Sequence, residues 1–233
     1  AEKYILSSSL SSSECEVLNG RSGYLKAIKF IQTELSDSNF GKQVACEVLA
    51  QILEEGIDVG GGTLLLWKWK QKIYLGGLHG IAGVLHTCLD FEEELARINP
   101  DVWRMIELTV MKMNDYCLKS GNIASYLKTT LPNSPPKNSD KLVQFCSGSP
   151  GYALLLTQMY RKSRNREQDP CSKPPSSQLS ENYLLQAQYV AEAVVLPRGL
   201  LQKGVGLCHG ISGNGFIFLS IYHAMSSNEE ESK

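Results

Sequence analysis

Gly204-Val-Gly-Leu-Cys-His-Gly-Ile-Ser-Gly-Asn214 is the stretch on which the reading of this chain turns. Cys208 and His209 are adjacent, set among glycines, directly ahead of an apolar segment that begins near Phe216. A thiolate and an imidazole are both good zinc ligands. The glycines let the backbone turn sharply and allow close approach. Two earlier stretches share the pattern: Gly76-Gly-Leu-His-Gly-Ile-Ala-Gly83 and Phe145-Cys-Ser-Gly-Ser-Pro-Gly151. A fourth, Asn19-Gly-Arg-Ser-Gly23, carries the same Gly-x-x-Gly. The first glycines fall at positions 20, 80, 148 and 210, separations of 60, 68 and 62 residues. A fixed motif at a near-constant period points to a repeat architecture, with a metal site assembled from loops of the repeated unit.

Between the motifs the pattern is helical. Residues 44–55 lack Gly and Pro and keep helical spacing through Val44, Val48 and Ile52. Residues 100–118 place Val102, Met105, Ile106, Val110, Met113 and Cys117 on one face, and residues 181–195 do the same with Tyr183, Leu184, Ala187, Ala191 and Val194. The stretches after the motifs (24–34, 84–96, 152–161 and 216–225) are helical in pattern and more apolar, as inner helices would be. Each unit therefore reads as Gly loop, inner helix, outer helix and long return. Residues 1–13 read as a loose serine-rich lead-in, residues 14–225 as the repeats, and residues 226–233 as a polar tail. Three loops are expected, at 56–62, 131–140 and 161–180. The last carries Arg161, Lys162, Arg164 and Arg166, which suit either an acidic partner or a solvated insertion. Trp67-Lys-Trp69 alternates like a short strand that pairs with Lys72-Ile-Tyr74.

Composition narrows the function classes. The net charge of -1 gives no sign of a nucleic-acid partner or of more than peripheral membrane association. The longest apolar run, residues 64–67, is far too short to span a bilayer. Seven widely spread cysteines in a chain of 233 residues favour a reducing compartment, the cytoplasm. Core packing is the expectation for Cys46, Cys88 and Cys117.

The ordered motifs resemble the lanthionine synthetase C-like family, specifically its eukaryotic, glutathione-binding branch. The likeness rests on Gly206-Leu-Cys-His-Gly-x-x-Gly-Asn214, on His79 before Gly80, on the Cys146 motif, and on Asn19-Gly-Arg-x-Gly-Tyr24. It implies an all-α fold, an α/α toroid with a double layer of inner and outer helices and Gly-rich loops at one end, of which this chain covers only part. It further implies Zn2+ held by Cys146, Cys208 and His209, with a fourth position open as in catalytic sites. His79 becomes the general acid or base, and Lys203 the residue that holds a glutathione carboxylate. The implied reaction is addition of glutathione to dehydroamino acids in proteins or peptides, a transferase chemistry that forms a C–S bond. One departure stands out: Ser147 occupies a position where the family commonly has His, so a second proton-transfer group is missing. Three readings compete: the enzyme, a non-catalytic scaffold that keeps zinc and glutathione, and a metal-free helical docking protein. For Cys146, Cys208 and His209 the plain alternative is buried thiols and a satisfied core histidine; for Lys203 it is a solvated side chain.

Overall fold

A computed structural model describes residues 15–128, 139–168, 177–200 and 204–230. The chain runs α1 (Arg21–Glu34), α2 (Lys42–Val59), β1 (Lys72–Tyr74), α3 (Ile81–Cys88), a 3-10 turn (Leu89–Phe91), α4 (Glu92–Ile98), α5 (Val102–Asn114), β2 (Tyr126–Lys128), a 3-10 turn (Ser139–Lys141), α6 (Ser149–Gln168), α7 (Ser177–Val190) and α8 (Ile211–Glu230). A π-helical segment, Ala191–Gly199, continues α7 and contains Pro197. Proline has no N–H to give a helical ladder, which suits an irregular last turn.

The helices form two layers of a partial α/α toroid. The inner helices follow one another around the ring: α1 packs on α3, α3 on α6, and α6 on α8. Outside them α2 lies against α1 and α4, and α7 against α6 and α8. Amphipathic patterning explains the division. Helix α5 buries Val102, Met105, Ile106, Val110 and Met113 and leaves Met111 exposed. Helix α3 buries nearly every side chain, Ile81, Val84, Leu85 and Cys88 included, because it is covered on both flanks by its inner neighbours.

The Gly-x-x-Gly loops share one end and are stitched to each other. Val17 N–H donates to Leu78 O (2.9 Å), Gly77 N–H to Phe145 O (2.9 Å), and Cys146 N–H to Cys208 O (3.1 Å). Each loop therefore bonds the next around the ring. At three of the four motifs the second glycine explains the repeat: a Cβ at Gly23, Gly83 or Gly213 would fall on the backbone oxygen of Val17, Gly77 or Leu207, respectively. No side chain fits there, so the sequence keeps glycine at that step.

Several local expectations are corrected. Lys72-Ile-Tyr74 does touch Trp69 through one antiparallel bridge, but its ladder partner is β2, with Ile73 opposite Leu127. The loop expected over 161–180 is helical through Gln168 and again from Ser177. The paired basic side chains on α6 explain this: Lys162 and Arg166 both reach Glu92 on α4, and Arg164 reaches Glu167. Gly56 lies within α2 rather than in a loop, packed under the Trp67 ring. Helix α8 continues to Glu230, into the stretch read as a tail. Cys88 is buried as expected, whereas Cys46 is half-buried and Cys117 exposed. The lead-in 1–13, most of the proline-rich loop at 131–140, and Lys203 lie outside the described residues.

Candidate functional site

The third and fourth loops bring Cys146, Cys208 and His209 together. One ligand atom from each lies within 4.8 Å of the other two. Cys146 and Cys208 are half-buried and His209 is exposed. The loops converge for a local reason. The Cys146 loop is a tight turn, closed by Gln144 N–H to Ser147 O (3.0 Å) and Ser147 N–H to Gln144 O (3.1 Å). Gly148, at φ 108°, then lets the chain reverse into α6. The fourth loop is closed by Ile211 N–H to Gly204 O (2.8 Å) and by the Ser212 hydroxyl to Val205 O (2.6 Å). At its base Asn214, fully buried, donates to Val143 O (2.9 Å) and Gly199 O (2.8 Å). That side chain ties the fourth loop to the segment leading into the third.

The donor set fits zinc. Two sulfurs at about 2.3 Å and one nitrogen at about 2.0–2.1 Å from an ion put the ligand atoms a little under 4 Å apart. The upper limit of 4.8 Å on the observed separations is within about 1 Å of that spacing. A zinc ion held by these three residues would keep a fourth position for a further ligand, as catalytic rather than closed structural sites do.

His79 lies on the second loop, which bonds the third through Gly77 and Phe145. Its Nδ1 is 2.6 Å from Glu16 Oε2. Glu16 is 2% exposed. It also accepts the backbone N–H groups of Leu18 (2.9 Å) and Asn19. This carboxylate is thus buried with its donors supplied, and it fixes the imidazole tautomer with the proton on Nδ1. In that tautomer Nε2 is the nitrogen without a proton. The His79 ring stacks on Trp69, centroids 4.0 Å apart and planes 2° from parallel. Tyr74 meets Trp69 edge-on at 5.2 Å. Glu16 was not singled out from the sequence. The one signal was an acid shortly before the first Gly loop, and nothing local says that it pairs with a histidine 63 residues away.

The remaining candidates fall elsewhere. Arg21, the arginine of the first Gly loop, is turned towards α2. Its guanidinium meets Gln51 (2.9 Å) and Glu55 (3.7 Å) of α2. Cys15 donates to Glu55 (3.2 Å), and burial, reinforced by Glu55, pushes its thiol well above the usual range. Cys88 is pushed up to about 12 by burial. Both are unreactive core thiols. His86 accepts from Lys26 Nζ (3.0 Å), which also pairs with Asp90 (2.6 Å). His223 is exposed on α8.

Two cavities flank the loops. One, of about 400 Å3, lies between α6 and α8 and has Phe145, Leu207 and Gly213 at its loop end. The other, of about 230 Å3, lies between α1, α3 and α6 and includes Gly77, Lys26 and His86. They share Phe145 and Leu154. Among the described residues no helix is long and apolar enough to cross a membrane.

Comparison with known proteins agrees with this arrangement. Residues 1–233 match the family described as Lanthionine synthetase C-like protein. The chain is 28% identical over 213 residues to glutathione S-transferase LANCL1 of Danio rerio, covering 89% of this chain and 46% of the relative. It is 27% identical over 217 residues to LanC-like protein GCL1 of Arabidopsis thaliana, covering 89% of this chain and 42% of the relative. The chain thus spans slightly under half the length of these curated relatives. Repeated Gly loops hydrogen-bonded around a double-layered helical ring, together with a match along the whole sequence, show that the chain belongs to the lanthionine synthetase C-like family.

Proposed function

We propose that this protein activates the thiol of glutathione for addition to dehydroamino acids in proteins or peptides. The observation that carries the reading is the meeting of Cys146, Cys208 and His209 from two loops at one rim. The relative named a glutathione S-transferase supports the choice of thiol. Cys146, Cys208 and His209 would hold Zn2+, whose Lewis acidity lowers the pKa of a thiol that binds it. In the reaction the sulfur bonds to Cβ of the dehydroamino acid. The π pair moves to Cα as an enolate, and a proton is then delivered there. The thiol proton and the Cα proton balance, so no oxidant or reductant is consumed.

This chain's own residues handle the proton and the orientation. His79 presents Nε2 with Nδ1–H committed to Glu16. A proton gained at Nε2 gives an imidazolium beside the buried Glu16 carboxylate, which stabilises it. Trp69 holds the ring plane from one side. Lys203, four residues before Leu207, would meet a glutathione carboxylate as a positioning cation. The compartment we propose for this chemistry is the cytoplasm, where thiols are kept reduced.

The test is mass spectrometry of glutathione adducts on a dehydroalanine peptide, using the full-length protein. Wild type should form adduct. Cys208→Ala should lose both metal and adduct. His79→Ala should keep zinc and glutathione binding but slow the addition by about 10²–10⁴-fold, the range for loss of a general acid–base group. Equal adduct formation by wild type and Cys208→Ala would favour a non-catalytic scaffold, which Ser147 at a usual histidine position also fits.

A further inference from the structure

The basic cluster on α6 divides sharply. Lys162 pairs with Glu92 (3.3 Å), Arg164 with Glu167 (3.2 Å), and Arg166 with Glu92 (3.4 Å). Arg161 has no hydrogen bond and no ion pair to any described residue, and it is exposed. It lies instead on the wall of the cavity between α6 and α8. The rest of that cavity is mainly apolar: Phe145, Leu154, Leu207, Phe216 and Leu219 line it. An unpaired guanidinium bordering an apolar groove is an incomplete electrostatic pair.

The groove also has a direction and a length. Leu207 and Phe145 stand beside Cys208 and Cys146, so the loop end is the thiol end. Leu154 and Arg161 are seven residues apart on one face of α6, about 10 Å along the axis at 1.5 Å per residue. Phe216 and His223 repeat the same seven-residue step on α8. The groove therefore leads from the thiol site down the inner helices to Arg161. Counted from Ser149, where α6 leaves the thiol loop, Arg161 lies twelve residues and about 18 Å along the axis, a span that an extended peptide covers in about five residues at 3.3 Å each. Glutathione fits this groove poorly, since its polar γ-glutamyl and glycyl ends would lie against leucine and phenylalanine.

We infer that this groove seats the electrophilic peptide, and that Arg161 selects a substrate with an acidic side chain about five residues from the dehydroamino acid. Apolar side chains between them would cover Leu154, Phe216 and Leu219. Lys26 does not compete for that acid, because Asp90 holds it at 2.6 Å. Asp90 in turn accepts from Gln158 (2.8 Å). The positive field at the far end is felt by His86, which Arg161 and Lys26 both disfavour as a cation.

The inference rests on the proposed thiol addition, so binding and chemistry are measured apart. The probes are fluorescent thirteen-residue peptides with leucines beside the centre and Glu, Gln or Lys five positions to either side. Peptides with alanine at the centre report binding by anisotropy, and peptides with dehydroalanine report adduct formation. Wild type should bind a Glu peptide roughly tenfold tighter than its Lys counterpart, with Gln between them. Arg161→Glu should reverse the order, and Arg161→Lys should keep it. Helical content by circular dichroism confirms that the variants fold. The same preference in wild type and Arg161→Glu, or no binding of any peptide, overturns the inference. A charge preference that follows residue 161 while no peptide forms adduct keeps the groove assignment and removes the enzymatic reading instead.

Discussion

Replacing His86 with Asn should remove a specific acid sensitivity of the fold. His86 lies on α3 with Lys26, Asp90 and Arg161 as its charged neighbours. Burial is the largest influence on it. The Lys26 charge adds to burial, Asp90 opposes, and Arg161 adds again, so the imidazole is held down to about 3 from an ordinary 6.5. In the unfolded chain it takes up a proton below about 6.5, while in the folded protein it stays neutral to about 3. Stability from this group is therefore complete above pH 6.5 and falls as the pH drops from there towards 3. Between pH 7 and pH 5 the loss amounts to at most about 2 kcal/mol. The assay is urea unfolding followed by circular dichroism at both pH values. His86→Asn keeps an acceptor for Lys26 Nζ but cannot titrate. The other histidines contribute equally to both proteins and cancel. The drop in stability from pH 7 to pH 5 should be smaller in the variant by about that amount. An identical drop in both, or a His86 proton resonance in wild type that titrates near pH 6.5, would refute the argument.

Three further outcomes follow from particular contacts. Gly56→Ala would put a Cβ 2.6 Å from the Trp67 ring, which a hydrogen bond to Ile52 O (2.9 Å) holds in place; urea unfolding should show a loss of about 1–3 kcal/mol, the usual cost of overpacking. Alkylation with iodoacetamide, read by peptide mass spectrometry, should leave Cys15 and Cys88 unmodified in the folded protein, label Cys146 and Cys208 when metal is removed, and spare them when zinc is restored. Glu16→Gln should keep His79 in place but withdraw the charge beside it, slowing glutathione addition and changing its pH profile while glutathione binding holds; an unchanged profile would make Glu16 a purely structural partner.

The repeat was legible because its cause is local. A glycine whose Cβ would strike its own loop leaves a mark at three of the four motifs, and Gly23, Gly83 and Gly213 show it. The adjacent Cys208 and His209 were visible for the same reason. Cys146 stood in a matching motif, but its pairing with Cys208 as a ligand came only from the resemblance, since their meeting depends on a backbone bond between two loops. Glu16 was invisible because its partner His79 is distant in sequence and close only after α1 and α3 pack. The charged stretch after Arg161 misled in the opposite way. Its composition suggested a solvated loop, yet Glu92 on α4 absorbs two of its cations and lets α6 continue. Arg161, facing the groove, is the cation that this pairing leaves over. Cys117 was misplaced because the helical period was carried past the end of α5 at Asn114; Cys117 lies beyond it, bridged to Ile123, with its side chain exposed while Tyr116 and Leu118 pack on the core.

The most direct test of the account is the metal content and coordination of the purified full-length protein, by elemental analysis together with zinc X-ray absorption. The account predicts one zinc per chain with two sulfur ligands, one imidazole and one light-atom ligand, and predicts that added glutathione raises the sulfur count to three. A protein without zinc, or a zinc whose coordination ignores glutathione, would contradict it.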